Sequence, residues 1–186
     1  MTTQHEMPPG WDYNPSAWGQ RIPLVVIALV GLIIALYLGL YQLRMIQTVW
    51  EPFFWNGTVK TLNSPISRAL PVPDALLGAF GYFLDAISGL IGRRDRWRSM
   101  PWMVVLFGVA VGPLGMVSLF LVVAQPLLVN AWCTLCLVTA LISIVMIGPA
   151  MDEVLASLQY LQRVKRSGHP MWKAFWGNRS IIQQVK

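Results

Sequence analysis

Two cysteines, Cys133 and Cys136, lie in the stretch Asn-Ala-Trp-Cys-Thr-Leu-Cys, which begins a long apolar run. Residues at positions i and i+3 share one face of a helix, so the two thiols can close a short disulfide or open it. The amide groups and dipole at a helix N-terminus stabilise a thiolate, which favours its role as nucleophile or leaving group. The spacing therefore favours thiol–disulfide exchange. Two cysteines that simply pack, or that form a structural disulfide, are the alternative.

No metal site is predicted around these cysteines. A structural zinc ion needs about four ligands. The two histidines, His5 and His169, lie in segments that the charge pattern places on the opposite side of a membrane. Covalent haem attachment requires a histidine directly after the second cysteine, where this chain has Leu137.

The composition indicates that the cysteines are carried by membrane helices. Of the 186 residues, 55% are hydrophobic and 12% are charged, against about 25% charged in soluble domains. A spanning helix needs roughly 20 apolar residues. We expect an all-α integral membrane four-helix bundle, and the first residues lack the features of a cleavable signal peptide. The expected organisation is an N-terminal segment at 1–22, spans at about 24–43, 75–92, 101–125 and 133–151, and an amphipathic tail at 152–186.

The distribution of charge predicts an orientation. The loop 93–98 is rich in arginine, the tail 152–186 is basic, and the loop between the third and fourth spans has no charged residue. By the positive-inside rule, the arginine loop, the tail and both termini are cytoplasmic. Cys133 then lies at the outer interface, where disulfide chemistry is permitted. The net charge of +6 is therefore interpreted as an orientation signal, and no nucleic-acid partner is predicted.

Structural predictions can also be made for Asp85 and for three further segments. Asp85 lies inside the second span, where an acid is costly and usually functional; a proton path, or an interfacial partner such as Arg93 or Arg94, would explain it. The aromatic segment 50–55 could form an interfacial helix over the outer mouth of the bundle, an aromatic belt or a partner patch. Residues 7–18 are expected to be extended or disordered. Residues 151–168 are interpreted as an extension of the fourth span or as a separate surface helix.

The pattern resembles the vitamin K epoxide reductase family, whose members carry Cys-x-x-Cys at the outer end of the fourth helix. The segment 61–85 is also similar, with a serine-bearing loop, then a proline, then a helix that opens with glycines and a tyrosine. The resemblance covers roughly residues 20–155 and looks closest to bacterial members. It implies a multi-pass protein of the bacterial inner membrane that passes electrons from a periplasmic thioredoxin-like dithiol to a quinone, ubiquinone or menaquinone, and so supports disulfide formation.

The same resemblance implies roles for individual residues. Cys133 would exchange with the donor and Cys136 would face the quinone. Ser64 matches the family's loop serine near the site, and Asp74 lies where some members place a residue that hydrogen-bonds a quinone carbonyl. Tyr82, on the second helix, completes the cofactor-binding residues that the resemblance implies.

The chain departs from the family in its outer loop. The two loop cysteines that relay electrons in the family would fall at Trp50 and Thr58, and Ala140 stands where some members have a tyrosine. The relay within one chain therefore cannot operate. Either an external dithiol reaches Cys133 directly, or the chain is a non-catalytic accessory subunit of a larger membrane complex.

Overall fold

The computed structural model describes residues 7–67 and 71–184. Every regular element in these two ranges is helical, so the all-α expectation is confirmed. His5, which entered the metal-site argument, lies outside the described residues. The elements are α1 (Trp18–Gln42), α2 (Gly57–Leu62), α3 (Asp74–Leu90), α4 (Arg96–Ser99), α5 (Pro101–Ala124), a π-helical segment (Gln125–Val129), α6 (Thr134–Arg166), α7 (Met171–Phe175) and α8 (Arg179–Gln184).

Three helices of the described chain are long and apolar enough to cross a membrane. They are α1 with 25 residues, α5 with its π-helical continuation at 29 residues, and α6 with 33 residues. Helix α3 forms at the second expected span but has only 17 residues. A fourth crossing and the orientation of the termini therefore stay predictions. Residues 152–166 continue α6 without a break, so they extend the fourth helix.

The bundle core is built from small residues that let the helices approach closely. Helix α1 packs along α3, and α5 packs along α6. A Cβ atom at Gly31 of α1 would lie 2.8 Å from the ring of Tyr82, so this glycine provides the space in which the tyrosine is buried. The main buried cluster consists of Val25, Ala28, Ala35, Ala79, Tyr82, Ala86, Phe107, Val111, Met146 and Ala150.

The N-terminal segment is ordered by side-chain contacts with the extension of α6, so the expectation of disorder is wrong for the residues described. Trp11 Nε1 donates to Gln159 Oε1 at 2.8 Å, and Tyr13 Oη donates to Asp152 Oδ2 at 2.5 Å. The hydrogen bond to Asp152, with lesser effects of burial and of the acid's charge, raises the pKa of Tyr13 to about 12. Ser16 is fully buried and donates to Glu153.

Two buried arginines hold the C-terminal end of α3. Arg96 forms an ion pair with Glu153, and the two side chains are 2% and 3% exposed. Arg21, which is 1% exposed, donates from its Nη1 atom to the Gly92 carbonyl at 2.9 Å. Free carbonyls at a helix end need such donors when they are buried. The carbonyls that accept from the two guanidinium groups are those of Ser88, Gly89, Ile91 and Gly92.

Candidate functional site

Cys133 and Cys136 form a disulfide at the start of α6, with their Cα atoms 5.2 Å apart. Cys133 is the N-cap residue, and its Sγ atom accepts a hydrogen bond from the Cys136 amide at 3.1 Å. The Cys133 amide donates to Gln125 Oε1 at 2.9 Å. The pair therefore sits where the helix dipole favours a thiolate once the disulfide is opened.

The two sulfur atoms face different surroundings. Cys133 has no exposed surface, and its neighbours Trp132 and Thr134 contact Phe54 and Glu51 of the outer loop, which lies between α1 and α2. Cys136 is only partly buried and lines two neighbouring cavities inside the bundle. A molecule inside the bundle can therefore approach Cys136, whereas a molecule outside cannot reach Cys133 until the loop moves.

The residues expected from the resemblance line the same two cavities as Cys136. A cavity of about 100 Å³ is lined by Cys136, Asp74 and Tyr82, among others. A neighbouring cavity of about 50 Å³ is lined by Cys136, Asp74 and Ser64, among others. The fold thus brings all five predicted site residues together around one disulfide. Contact of Asp74, Ser64 and Tyr82 with a quinone stays a prediction.

Hydrogen bonds fix the polar side chains of these cavities. Asp74 Oδ1 accepts from Gln42 Nε2 at 2.5 Å and from Ser67 Oγ at 2.8 Å. Tyr82 Oη donates to the Thr139 carbonyl at 2.6 Å. Rigidly held groups of this kind orient a bound molecule at little entropic cost.

Gln125 was not predicted as a site residue. Its Oε1 atom holds the Cys133 amide, and its side chain lines both cavities. Since that hydrogen bond uses only the amide oxygen, the Nε2 group is the donor that Gln125 can offer to a ligand. The one signal in the sequence is a polar residue at the end of the apolar run 101–124. Gln125 also opens the π-helical segment, a rare conformation that often accompanies functional sites.

Glu51 was not predicted as a site residue, yet it joins the outer loop to the cysteine motif. Its carboxylate accepts from the Thr134 amide at 3.0 Å and from the hydroxyl groups of Thr134 and Thr58. The amides of Phe53 and Phe54 donate to the same carboxylate at 3.2 and 3.3 Å. Burial acts to raise the pKa of Glu51, but these hydrogen bonds outweigh it and hold the pKa at about 2.

The segment around Glu51 forms turns, so the helical alternative for residues 50–55 is wrong. Its amides bond to the Glu51 carboxylate instead of to helical carbonyls, and Trp55 adopts a φ of 53°. The Phe54 ring lies 6.4 Å from that of Trp132, the residue directly before Cys133. The loop therefore packs over the N-terminus of α6.

The sequence model of the vitamin K epoxide reductase family matches residues 22–150. The chain belongs to this family. Members of the vitamin K epoxide reductase family act as membrane thiol–disulfide oxidoreductases, and the Cys133–Cys136 disulfide fits that chemistry. No curated protein matches the chain.

This member of the vitamin K epoxide reductase family lacks the loop cysteines, and hydrogen bonds are found at the position of one of them. Thr58, at the position of a family loop cysteine, is fully buried and donates to Glu51. The same carboxylate contacts Thr134, which lies between the two cysteines in sequence. The Glu51 carboxylate thus links Thr58 to the segment between Cys133 and Cys136.

Replacing Gly57 with alanine is expected to lift the outer loop from α6. A Cβ atom at Gly57 would lie 1.9 Å from the Trp132 carbonyl oxygen, so backbone must move. Overpacking of this kind costs about 1–3 kcal/mol. We expect faster alkylation of Cys133 by a water-soluble maleimide after reduction. Gly78→Ala is the control, since nothing lies within 4 Å of its added Cβ; equal alkylation of the two variants would contradict the prediction.

Proposed function

We propose that this protein is a thiol–quinone oxidoreductase that passes electrons from an external dithiol through Cys133 and Cys136 to a quinone. The observation that carries the proposal is a disulfide whose first cysteine is buried next to Thr134, where Glu51 of the outer loop binds, and whose second cysteine lines an interior cavity. Membership of a family of thiol–disulfide oxidoreductases supports it. By this route the protein would supply oxidising equivalents for disulfide formation in other proteins.

The proposed cycle needs no reactant beyond a dithiol and a quinone. A donor thiolate attacks Cys133 Sγ, the bond to Cys136 breaks, and Cys136 leaves as a thiolate. The second donor thiolate attacks the donor sulfur of the mixed disulfide, which releases the oxidised donor and frees Cys133. When the pair closes again, its two electrons and two protons go to a quinone, and quinol is released.

The chemistry of the cavity next to Cys136 fits a quinone ring. A quinone carbonyl accepts hydrogen bonds, and Gln125 Nε2 is a donor in the cavity wall. Asp74, when ionised, can only accept, so it suits the hydroxyl group of the quinol product. The volume of about 100 Å³ lies below the roughly 300–1,000 Å³ of whole ligand sites. The cavity would therefore enclose the ring and leave an isoprenoid tail among the helices and lipid.

The charge pattern supports the position in the membrane, and membership of the family supports the partner and the quinone. The arginine loop and the basic tail support a bacterial inner-membrane location with the cysteines on the periplasmic side. Ubiquinone and menaquinone are the quinones of such membranes, and a thioredoxin-like protein is the proposed donor. Since Cys133 is buried, that donor must displace the loop held by Glu51.

The assay that tests the proposal combines purified protein, a reduced thioredoxin-like dithiol and a soluble quinone. Quinone reduction is measured from the absorbance of the quinone. We expect wild type to reduce the quinone and Cys136→Ser to show only the protein-free rate. Cys133→Ser should lose turnover with the protein donor as well. Wild-type reduction no faster than the protein-free rate, with every dithiol offered, would sink the enzymatic proposal.

A second candidate function is a non-catalytic subunit of a larger membrane complex. The observation that favours it is the burial of Cys133 beneath a loop that carries exposed aromatic residues, with Trp55 93% exposed and Phe53 74% exposed. Such a surface suits a protein neighbour. Two results together would favour this function. Wild type would show no turnover, and the same stoichiometric partners would co-purify with wild type and with a Cys133→Ala/Cys136→Ala variant.

A further inference from the structure

A groove between α3 and α5 is larger than either cavity beside the disulfide, with a volume of about 330 Å³. Cys136 does not line it, and it shares no lining residue with those two cavities. Its volume falls within the roughly 300–1,000 Å³ that is typical of small-molecule sites. The walls are apolar and aromatic, apart from Ser88 and Asp85, and include Leu84, Ile87, Ile91, Met100, Trp102, Met103, Leu106, Phe107 and Ala110.

Asp85 provides the carboxyl group in the wall of this groove. The residue is 5% exposed, and its Oδ1 atom has no hydrogen-bond partner within the described part of the chain. Of the two explanations offered for Asp85, a pairing with Arg93 or Arg94 is not observed, since neither forms an ion pair with Asp85 in residues 7–67 and 71–184. An unsatisfied polar atom in an apolar site is costly, so a partner from outside the chain is favoured.

Two buried arginines at the C-terminal end of α3 are engaged by other groups. Arg96 is bound to Glu153, and Arg21 is bound to carbonyls at the end of α3. Both side chains are almost fully buried in these arrangements. Neither guanidinium group can turn to Asp85 without exposing other buried polar atoms.

The apolar surroundings favour an uncharged partner. The Arg96 guanidinium, whose Cζ atom lies 5.8 Å from the ring of Phe107 in the groove wall, is neutralised by Glu153. Leu84 and Leu106 at the groove are 40% and 60% exposed, so the entrance is apolar and suits a molecule that arrives from the hydrocarbon of the bilayer.

We propose that the α3–α5 groove binds an apolar molecule from the bilayer that carries one hydroxyl group, with this hydroxyl donating to the carboxylate of Asp85. The ligand class is a lipid-soluble alcohol or phenol. The site is separate from the disulfide and does not depend on the proposed quinone reduction. It would hold its ligand whether or not the protein turns over.

Trp102 in the groove wall provides a direct readout, because bromine atoms quench indole fluorescence on contact. The probes are 10,11-dibromoundecanol and its methyl ether, added to the protein in lipid nanodiscs. The part of the quenching that is lost in Trp102→Phe comes from Trp102 and therefore measures how much of the groove is occupied. We expect the alcohol to half-saturate this signal at a bilayer mole fraction five to ten times lower than the ether, the ratio expected for about one net hydrogen bond.

Variants of two acidic residues of α3 distinguish binding in the groove from general partitioning of the probes into the bilayer. Asp85→Asn adds an amide donor that the ether oxygen can accept from, so the preference for the alcohol should fall below about twofold. Asp74→Asn, the control at the other end of the helix, should keep the wild-type ratio. Equal quenching by alcohol and ether in wild type would overturn the proposal without any variant. Tighter binding of the corresponding dibromoundecylamine would overturn it as well, since the partner would then be a cation.

Discussion

Glu51→Gln is expected to speed reduction of the Cys133–Cys136 disulfide by an external reductant at least tenfold. The Glu51 carboxylate closes the outer loop through the amide and hydroxyl groups of Thr134 and the hydroxyl of Thr58. Hydrogen bonds to a charged group contribute about 1.5–3 kcal/mol each, against about 1 kcal/mol for neutral ones. Glutamine preserves the shape but not the charge, so the loop should open more often and uncover Cys133.

The measurement is a time course of disulfide reduction, followed by attachment of a maleimide–polyethylene glycol and gel electrophoresis. Lys60→Gln is the matched control, because it also removes one charge from the outer loop, and its side chain makes no hydrogen bond or ion pair within the described residues. It should leave the rate within about twofold of wild type. A Glu51→Gln rate equal to that of Lys60→Gln would show that the carboxylate does not hold the loop.

The low pKa of Glu51 adds a pH dependence to the same prediction. The folded carboxyl titrates at about 2, below its ordinary value of 4.5. A depressed pKa means that the carboxylate stabilises the closed loop above about pH 4.5 and that this contribution is lost as the pH falls toward 2. Reduction by a phosphine should therefore accelerate in wild type between pH 5 and pH 3, and should change less in Glu51→Gln.

Glu153→Ala is expected to destabilise the protein by about 3–5 kcal/mol, the usual cost of removing one partner of a buried ion pair. The change leaves the Arg96 guanidinium charged, almost fully buried and without its counter-ion. It also removes the acceptor of the buried Ser16 hydroxyl, which anchors the N-terminal segment. The measurement is unfolding of the purified protein in detergent, followed by helical circular dichroism against temperature or denaturant.

Two further variants identify the cause of that loss. Arg96→Met combined with Glu153→Leu removes both charges and should cost much less than Glu153→Ala alone, because no buried ion is left unpaired. Asp152→Asn, one residue away, alters only the exposed bond from Tyr13 and should cost at most about 1 kcal/mol. A double variant as unstable as the single one would mean that packing, and not charge, determines the result.

Local pattern was sufficient to predict the all-α class and the place of Cys133 at a helix start. Apolar runs such as 101–124 and the proline at position 101 determine these features within a few residues of where they act. Contacts between distant segments were not predictable in the same way. Glu51 meets Thr134 across 83 positions, and Trp11 meets Gln159 across 148, distances over which hydrophobic periodicity carries no information.

The residues of the candidate site were likewise predictable only in part. The resemblance pointed to Ser64, Asp74 and Tyr82, and the fold places all three at cavities that Cys136 also lines. Gln125 was missed because its role depends on the π-helical segment that brings its amide to Cys133. The unpaired Oδ1 atom of Asp85 was not predicted, because closeness in sequence to Arg93 and Arg94 does not determine which side chains meet.

The length of α3 has a consequence for the lipid around the molecule. With 17 residues at about 1.5 Å per residue, α3 is about 26 Å long, whereas the hydrocarbon core of a bilayer is about 30 Å thick. Arg21 adds to this mismatch, because its charged group reaches inward to the carbonyls at the end of α3. A crossing by this helix requires the bilayer to become thinner beside it, and a cost for each ångström of mismatch would direct the protein toward thinner membranes.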